Sequence, residues 1–208
     1  MPYRPEHRQT TRTRIIRSAR LLFNRHGFDG ASIDDIMRHA GLTRGGFYSY
    51  FRTKSDLYAE AVALALAEPP SRRWKGISVD FGAVDAARQV IRGYLSRQHF
   101  EDIDGSCPLV ALPSDVSRSK PIVKRTYETV FKAMVDLFEE GLRRRGRADR
   151  GRALAIAAIC VGGLAVARSV ESPELGNTLR SAAMDVALGL GGWPRSPARK
   201  KRGKSAAR

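Results

Sequence analysis

The sequence predicts an all-α fold, and three observations lead there. Leu, Ala, Val and Ile are plentiful in a chain that is 42% hydrophobic, while alternating runs of β-branched residues are almost absent. Apolar residues recur instead at spacings of three and four, most clearly at Val123, Tyr127, Val130, Met134, Leu137 and Phe138. Breaks fall at Gly or Pro beside capping residues, the punctuation of helices joined by short turns. A length of 208 residues accommodates one ordinary domain and a small one.

Taken in order, a first helix runs from about Glu6 to His26, with Ile15, Ala19, Leu22 and Phe23 on one face, and Gly27 ends it. Ser32, with Asp35 three residues on, forms a capping box that opens a short helix over Ile33–His39, stopped at Gly41. Thr43 can cap a second short helix, about Arg44–Tyr50. Thr53 and Asp56 repeat the capping pattern for a connecting helix over 54–67. Pro69 and Pro70 break the chain, and 71–82 reads as a loop. Further helices are expected at about 83–101, 108–117, 120–145, 150–169 and 174–190, with Pro108 and Pro121 in first turns, where a missing N–H costs little. From Trp193 the composition is too polar to bury, so 193–208 is expected to be a disordered basic tail.

Charge narrows the function. The net charge is +16, and it is concentrated at the ends. Residues 1–54 hold 11 Lys/Arg against 4 Asp/Glu, residues 193–208 hold 7 basic residues and no acidic ones, and the middle is nearly neutral. Such an arrangement points to a localised nucleic-acid-binding surface and a polyanionic partner. The start of the chain has no apolar h-region, and the longest apolar run, Leu154 to Ala167, is shorter than a membrane span. A cytoplasmic protein with no membrane partner is expected. Cys107 and Cys160 have no metal-ligand spacing and read as free thiols. His7, His26, His39 and His99 form no metal motif, and Gly203-Lys204-Ser205 lacks the first glycine of a phosphate loop, because Ala198 stands there. No catalytic constellation, metal site or cofactor is expected. A non-specific, architectural nucleic-acid-binding protein stays open as the alternative, because the basic ends alone would suffice for it.

Two short helices joined at Gly41 and flanked by long ones make a helix-turn-helix, whose second short helix enters the major groove. That helix needs small residues where backbone approaches DNA, donors at its leading end, and apolar residues behind. Gly41-Leu42-Thr43-Arg44-Gly45-Gly46-Phe47-Tyr48-Ser49-Tyr50-Phe51 provides all three. The stretch SIDDIMRHAGLTRGGFYSYFRTKSDLYAEAV, within Thr11 to Leu64, resembles the TetR (tetracycline-repressor) family of bacterial regulators. The resemblance implies a helix-turn-helix DNA-binding domain over 1–55 and a larger helical ligand-binding and dimerisation domain over 75–192. It also implies that Thr43, Arg44 and Gly45 face bases and phosphates, that Tyr48 touches the backbone, and that Ser32 and Lys54 bond phosphates. Ser49 is smaller than the residue often found at its position and Tyr50 replaces a common His. Arg44 is the expected base reader, since a guanidinium can pair bidentately with guanine.

Beyond that region the residues speak for themselves. Leu154 to Ala167 is apolar all round, and Ala158, Gly162 and Gly163 let another helix come close. With Leu175, Leu179, Ala183, Val186 and Leu190 it would form a two-fold four-helix interface, so a homodimer through 150–169 and 174–190 is expected; a buried helix within a monomer is the other reading. An unknown small-molecule inducer would sit between helices. Phe81, Tyr94, Phe100, Tyr127, Phe131 and Met134 are candidates for its pocket, and core packing accounts for each equally well. Cys107 opens a helix, where N–H groups can lower a thiol pKa. The Gly-Cys pair resembles that of a TetR subgroup in which some members sense electrophiles or oxidants. A small buried residue is the other reading of Cys107.

Overall fold

In a computed structural model of the chain, residues 5–68 and 77–194 are described, and the regular structure among them is entirely helical. Pro69 and Pro70, the loop as far as 76, and the tail from 195 lie outside the described residues.

Helix α1 spans Pro5–Gly30 and breaks at Gly27, whose φ of 70° and ψ of −179° leave the helical region. The stop expected at Gly27 is thus a kink followed by one further turn. Helix α2 (Ile33–His39) begins at Ser32, whose Oγ accepts the Asp35 N–H at 3.1 Å, while the Ser32 hydroxyl donates back to the Asp35 carboxylate. At Gly41 a φ of 68° ends it, a conformation that would strain an L side chain. The next element differs from expectation. Arg44–Ser49 is a 3₁₀ helix, and Thr43 makes no side-chain cap. Two adjacent glycines weaken an α-helix by about 1 kcal/mol each, and six residues are too few for packing to restore it. Helix α3 (Lys54–Ala67) starts at Thr53, whose Oγ1 accepts the Asp56 N–H at 3.1 Å.

The expected helix at 83–101 is two: α4 (Ala86–Tyr94) and α5 (Arg97–Glu101). Ser96 sets the break, since its extended backbone and Oγ cap the His99 N–H and so start a new helix. Likewise 108–117 divides into α6 (Pro108–Ala111) and α7 (Pro113–Arg118), because Pro113 cannot donate to a continuing ladder. Helices α8 (Pro121–Arg143), α9 (Arg150–Arg168) and α10 (Pro173–Leu190) follow the expected spans closely.

One continuous core joins Phe23, Phe47 and Tyr58 of the N-terminal helices to Phe138, Ile156 and Leu188 of the later ones. Helix α3 lies between the two regions, packed on α1 and on α8, while α9 packs on α8 and α10. Gly163 makes the last contact possible: a Cβ there would collide with the Ala183 methyl. Helix α9 has the length and hydropathy of a membrane span, 19 residues at a mean hydropathy of 1.6. The sequence count missed this by stopping at Leu154. Its covered face (Ala153, Ile156, Ala157, Cys160, Leu164) is nonetheless a core face. Trp193 is a second correction, for it is buried, donates its backbone N–H to Leu188 O at 2.9 Å, and lies against Gly141.

Candidate functional site

Two features stand out, an exposed polar turn near the N-terminus and a partly open apolar cavity in the helical body. The turn is the 3₁₀ helix. Its inner side is Phe47, wholly buried and 5.8 Å from the Phe51 ring between centroids, with Met37 and Ile36 of α2 behind it. Its outer side presents Thr43, Arg44, Gly45, Tyr48 and Ser49, all exposed, and Tyr48 is 65% exposed despite its size. A Cβ added to Gly45 would meet nothing, which leaves the backbone there open to close approach. Ser32, also exposed, stands at the start of the neighbouring helix α2.

Charge is held ready at this surface. The Arg44 guanidinium donates to the Asp34 carboxylate of α2 at 2.9 Å with its side chain two-thirds exposed, so a phosphate or base edge can displace that weak surface pair. Arg8 of α1 donates to the Ser49 carbonyl at 2.9 Å, tying the end of the turn to α1. Two of the expected contact residues are placed differently. Tyr50 is half-buried against the core. The Lys54 ammonium stands over the Phe28 ring, 4.5 Å from its centroid, and partial burial lowers its pKa.

The cavity has a volume of about 230 Å³ and lies among α3, α4, α6 and α8. Among the seven pocket candidates, Phe81, Tyr94, Cys107 and Met134 line it. Phe100, Tyr127 and Phe131 do not. Phe100 packs near Gly176, and the Tyr127 hydroxyl donates to the Leu109 carbonyl at 2.9 Å. The rest of the wall is Ala65, Leu66, Val90, Leu109, Val130, Ala133 and Leu137, small or aliphatic residues whose periodicity marks them only as core. At its polar end the Tyr94 hydroxyl and the Cys107 side chain are near enough to interact. Burial, above all, raises the Tyr94 pKa, and it holds His99 down at about 4. Neutral His99 uses both ring nitrogens here: Nδ1–H donates to Tyr94 O at 2.7 Å, and Nε2 accepts the Cys107 N–H at 3.2 Å. The helix that Cys107 opens has only four residues, too short to supply much dipole to its thiol.

The segment before Cys107 is gripped from two sides. From α9, Arg168 donates to Phe100 O, Ser106 Oγ, His99 O and Asp102 O. From α1, Arg20 donates to Gly105 O at 2.9 Å, and Asn24 Nδ2 donates to Asp104 O and Ser106 O at 2.9 and 3.0 Å. Arg20 also pairs with Glu68, at the end of the α3 wall of the cavity, at 2.5 Å. Metal-binding groups of three or more His, Cys, Asp or Glu are absent among the described residues.

Comparison with known proteins bears on both features. Residues 15–61 match the family described as bacterial regulatory proteins, tetR family. An uncharacterized HTH-type transcriptional regulator of Bacillus subtilis, YezE, is 22% identical over 130 residues, which cover 62% of this chain and 67% of that protein. Two further curated regulators align over much less of their own length, 31% and 24%. Among solved structures, reduced NemR of Escherichia coli superposes with a TM-score of 0.68 at 16% identity, over 91% of this chain and 99% of that one. SmeT in complex with triclosan superposes at 0.60 with 25% identity, over 87% and 91%.

Proposed function

The chain is a member of the TetR family of bacterial regulatory proteins, and from that premise we propose that it is a cytoplasmic, dimeric repressor, released from a palindromic operator when a small molecule fills the cavity. The observation that carries the DNA reading is the 3₁₀ turn: Thr43, Arg44, Gly45 and Tyr48 stand exposed over a rigid support of Phe47 and Phe51. Arg44 is the base reader, and Tyr48, Ser49 and Ser32 meet phosphates. Tyr50 and Lys54 position the turn in the free protein, and Lys54 exchanges the Phe28 ring for a phosphate on binding.

Dimerisation uses α9 and α10. Leu154 and Val166 on α9 and Leu175 and Val186 on α10 are each roughly half exposed, an apolar face on two packed helices. A second copy covers it about a two-fold axis, which the symmetry of a palindrome then mirrors. Ligand release is supported by the apolar cavity and by SmeT, which is solved with triclosan. An electrophile entering the cavity meets the Cys107 thiol, and Cys107→Ser removes release by an electrophile.

The test is selection of binding sites from random DNA by the purified chain at two salt concentrations. Enrichment of a palindrome that persists at the higher salt supports a sequence-reading dimer. Binding without a consensus that vanishes with salt rejects it in favour of an architectural role.

A further inference from the structure

The wall of the cavity restricts what it can hold. Its volume of about 230 Å³ is somewhat above the roughly 150 Å³ that admits benzene in an engineered apolar cavity, so it takes one ring with short substituents. Val90, Leu109, Val130, Ala133 and Met134 offer only apolar contact. The polar groups are gathered at one end, where the Tyr94 hydroxyl and the Cys107 thiol can each donate and accept. A ligand hydroxyl or carbonyl can insert there and bond both groups.

Among the described residues, no charged side chain lines the cavity. His99 is neutral and committed through both nitrogens, as described, and so cannot donate to a carboxylate. Arg168, a nearby cation, spends four of its five N–H donors on Phe100 O, Ser106 Oγ, His99 O and Asp102 O. Tyr94 and His99 both shift toward their neutral forms, foremost through burial, so the medium itself opposes ionisation of either sign.

We infer that the cavity is selective for small, uncharged monocyclic molecules with one hydroxyl or carbonyl, held between the Tyr94 hydroxyl and the Cys107 thiol, and that it rejects their anionic and cationic analogues. This rests on the ligand-release reading above, and it adds the class of ligand.

The test uses three probes of like shape on the full chain without DNA at pH 7: 4-ethylphenol, 4-ethylbenzoate and 4-ethylbenzylamine. Binding is measured by calorimetry, and operator release is measured separately. 4-Ethylphenol binds at one site per chain, about fivefold more weakly to Tyr94→Phe, the effect of one neutral hydrogen bond. The two ions bind at least about a hundredfold more weakly, since each would be buried without a partner. Ala133→Trp fills the cavity and abolishes binding. Slowed alkylation of Cys107 by iodoacetamide in the presence of 4-ethylphenol gives the same answer without a variant. Equal or tighter binding of either ion, no binding of 4-ethylphenol, or binding without protection of Cys107 overturns the inference. Selective binding of 4-ethylphenol without release of the operator leaves the ligand class standing and rejects the release mechanism instead.

Discussion

Replacing Arg20 by methionine removes a side chain that bonds both to the end of α3 and to the loop before Cys107. Arg20 and Glu68 side chains are only 8% and 11% exposed, and their N–O separation is 2.5 Å. Removing the cation leaves a carboxylate buried beside apolar surface, a change that costs about 3–5 kcal/mol in comparable pairs. Arg17, 3.5 Å from the same carboxylate, compensates in part, which puts the effect at about 3 kcal/mol, the lower end of that range. Loss of the bond to Gly105 O adds little, because Asn24 still holds both neighbouring carbonyls. For a chain of this size the melting temperature should fall by about 6–12 °C. Thermal unfolding measures it, and the double variant Arg20→Met with Glu68→Met identifies the cause. With both charges gone the pair is replaced by apolar groups, so the double variant should be more stable than Arg20→Met alone. A fall under about 2 °C, or a double variant less stable than the single one, would refute this account of Arg20.

Three further outcomes follow from the same structure. Arg44→Ala should weaken operator binding by about 5- to 150-fold and relax preference at one base pair, while leaving the melting temperature unchanged, as measured by binding to variant operators. Gly163→Val should lower stability by about 1–3 kcal/mol in urea unfolding, because its side chain drives α9 away from Ala183. His99, 2% exposed and held neutral by burial with a pKa of about 4 against an ordinary 6.5, makes stability pH-dependent. The unfolded chain takes up its proton as pH falls through 6.5 and the folded chain only near 4. Stability is therefore full above pH 6.5 and lost between the two, by about 3 kcal/mol. In His99→Gln that slope, followed by urea unfolding at successive pH values, should disappear.

What was legible in the sequence was local. Ser32 and Thr53 cap their helices through the residue three ahead, a signal complete within four positions, and both caps are present. Legibility fails where distant residues decide. Trp193 lies in a stretch whose composition reads as solvated tail, yet Gly141 on another helix leaves room for its ring. The cavity fails for a related reason. Large aromatic residues were the natural candidates, but Phe100 and Tyr127 are engaged elsewhere, and Tyr127 is fixed by its bond to Leu109 O. Val90, Leu109 and Ala133 face the space instead, and their apolar spacing is that of any core position. Whether a core position faces a neighbour or a void depends on the angles between helices, which side-chain periodicity does not encode. The same distinction separates the two halves of the molecule. An exposed turn presents its residues outward in a fixed local order, so the stretch from Thr43 to Tyr48 can be read contiguously. A cavity is the space left between elements, and its lining is assembled from five separate segments of chain.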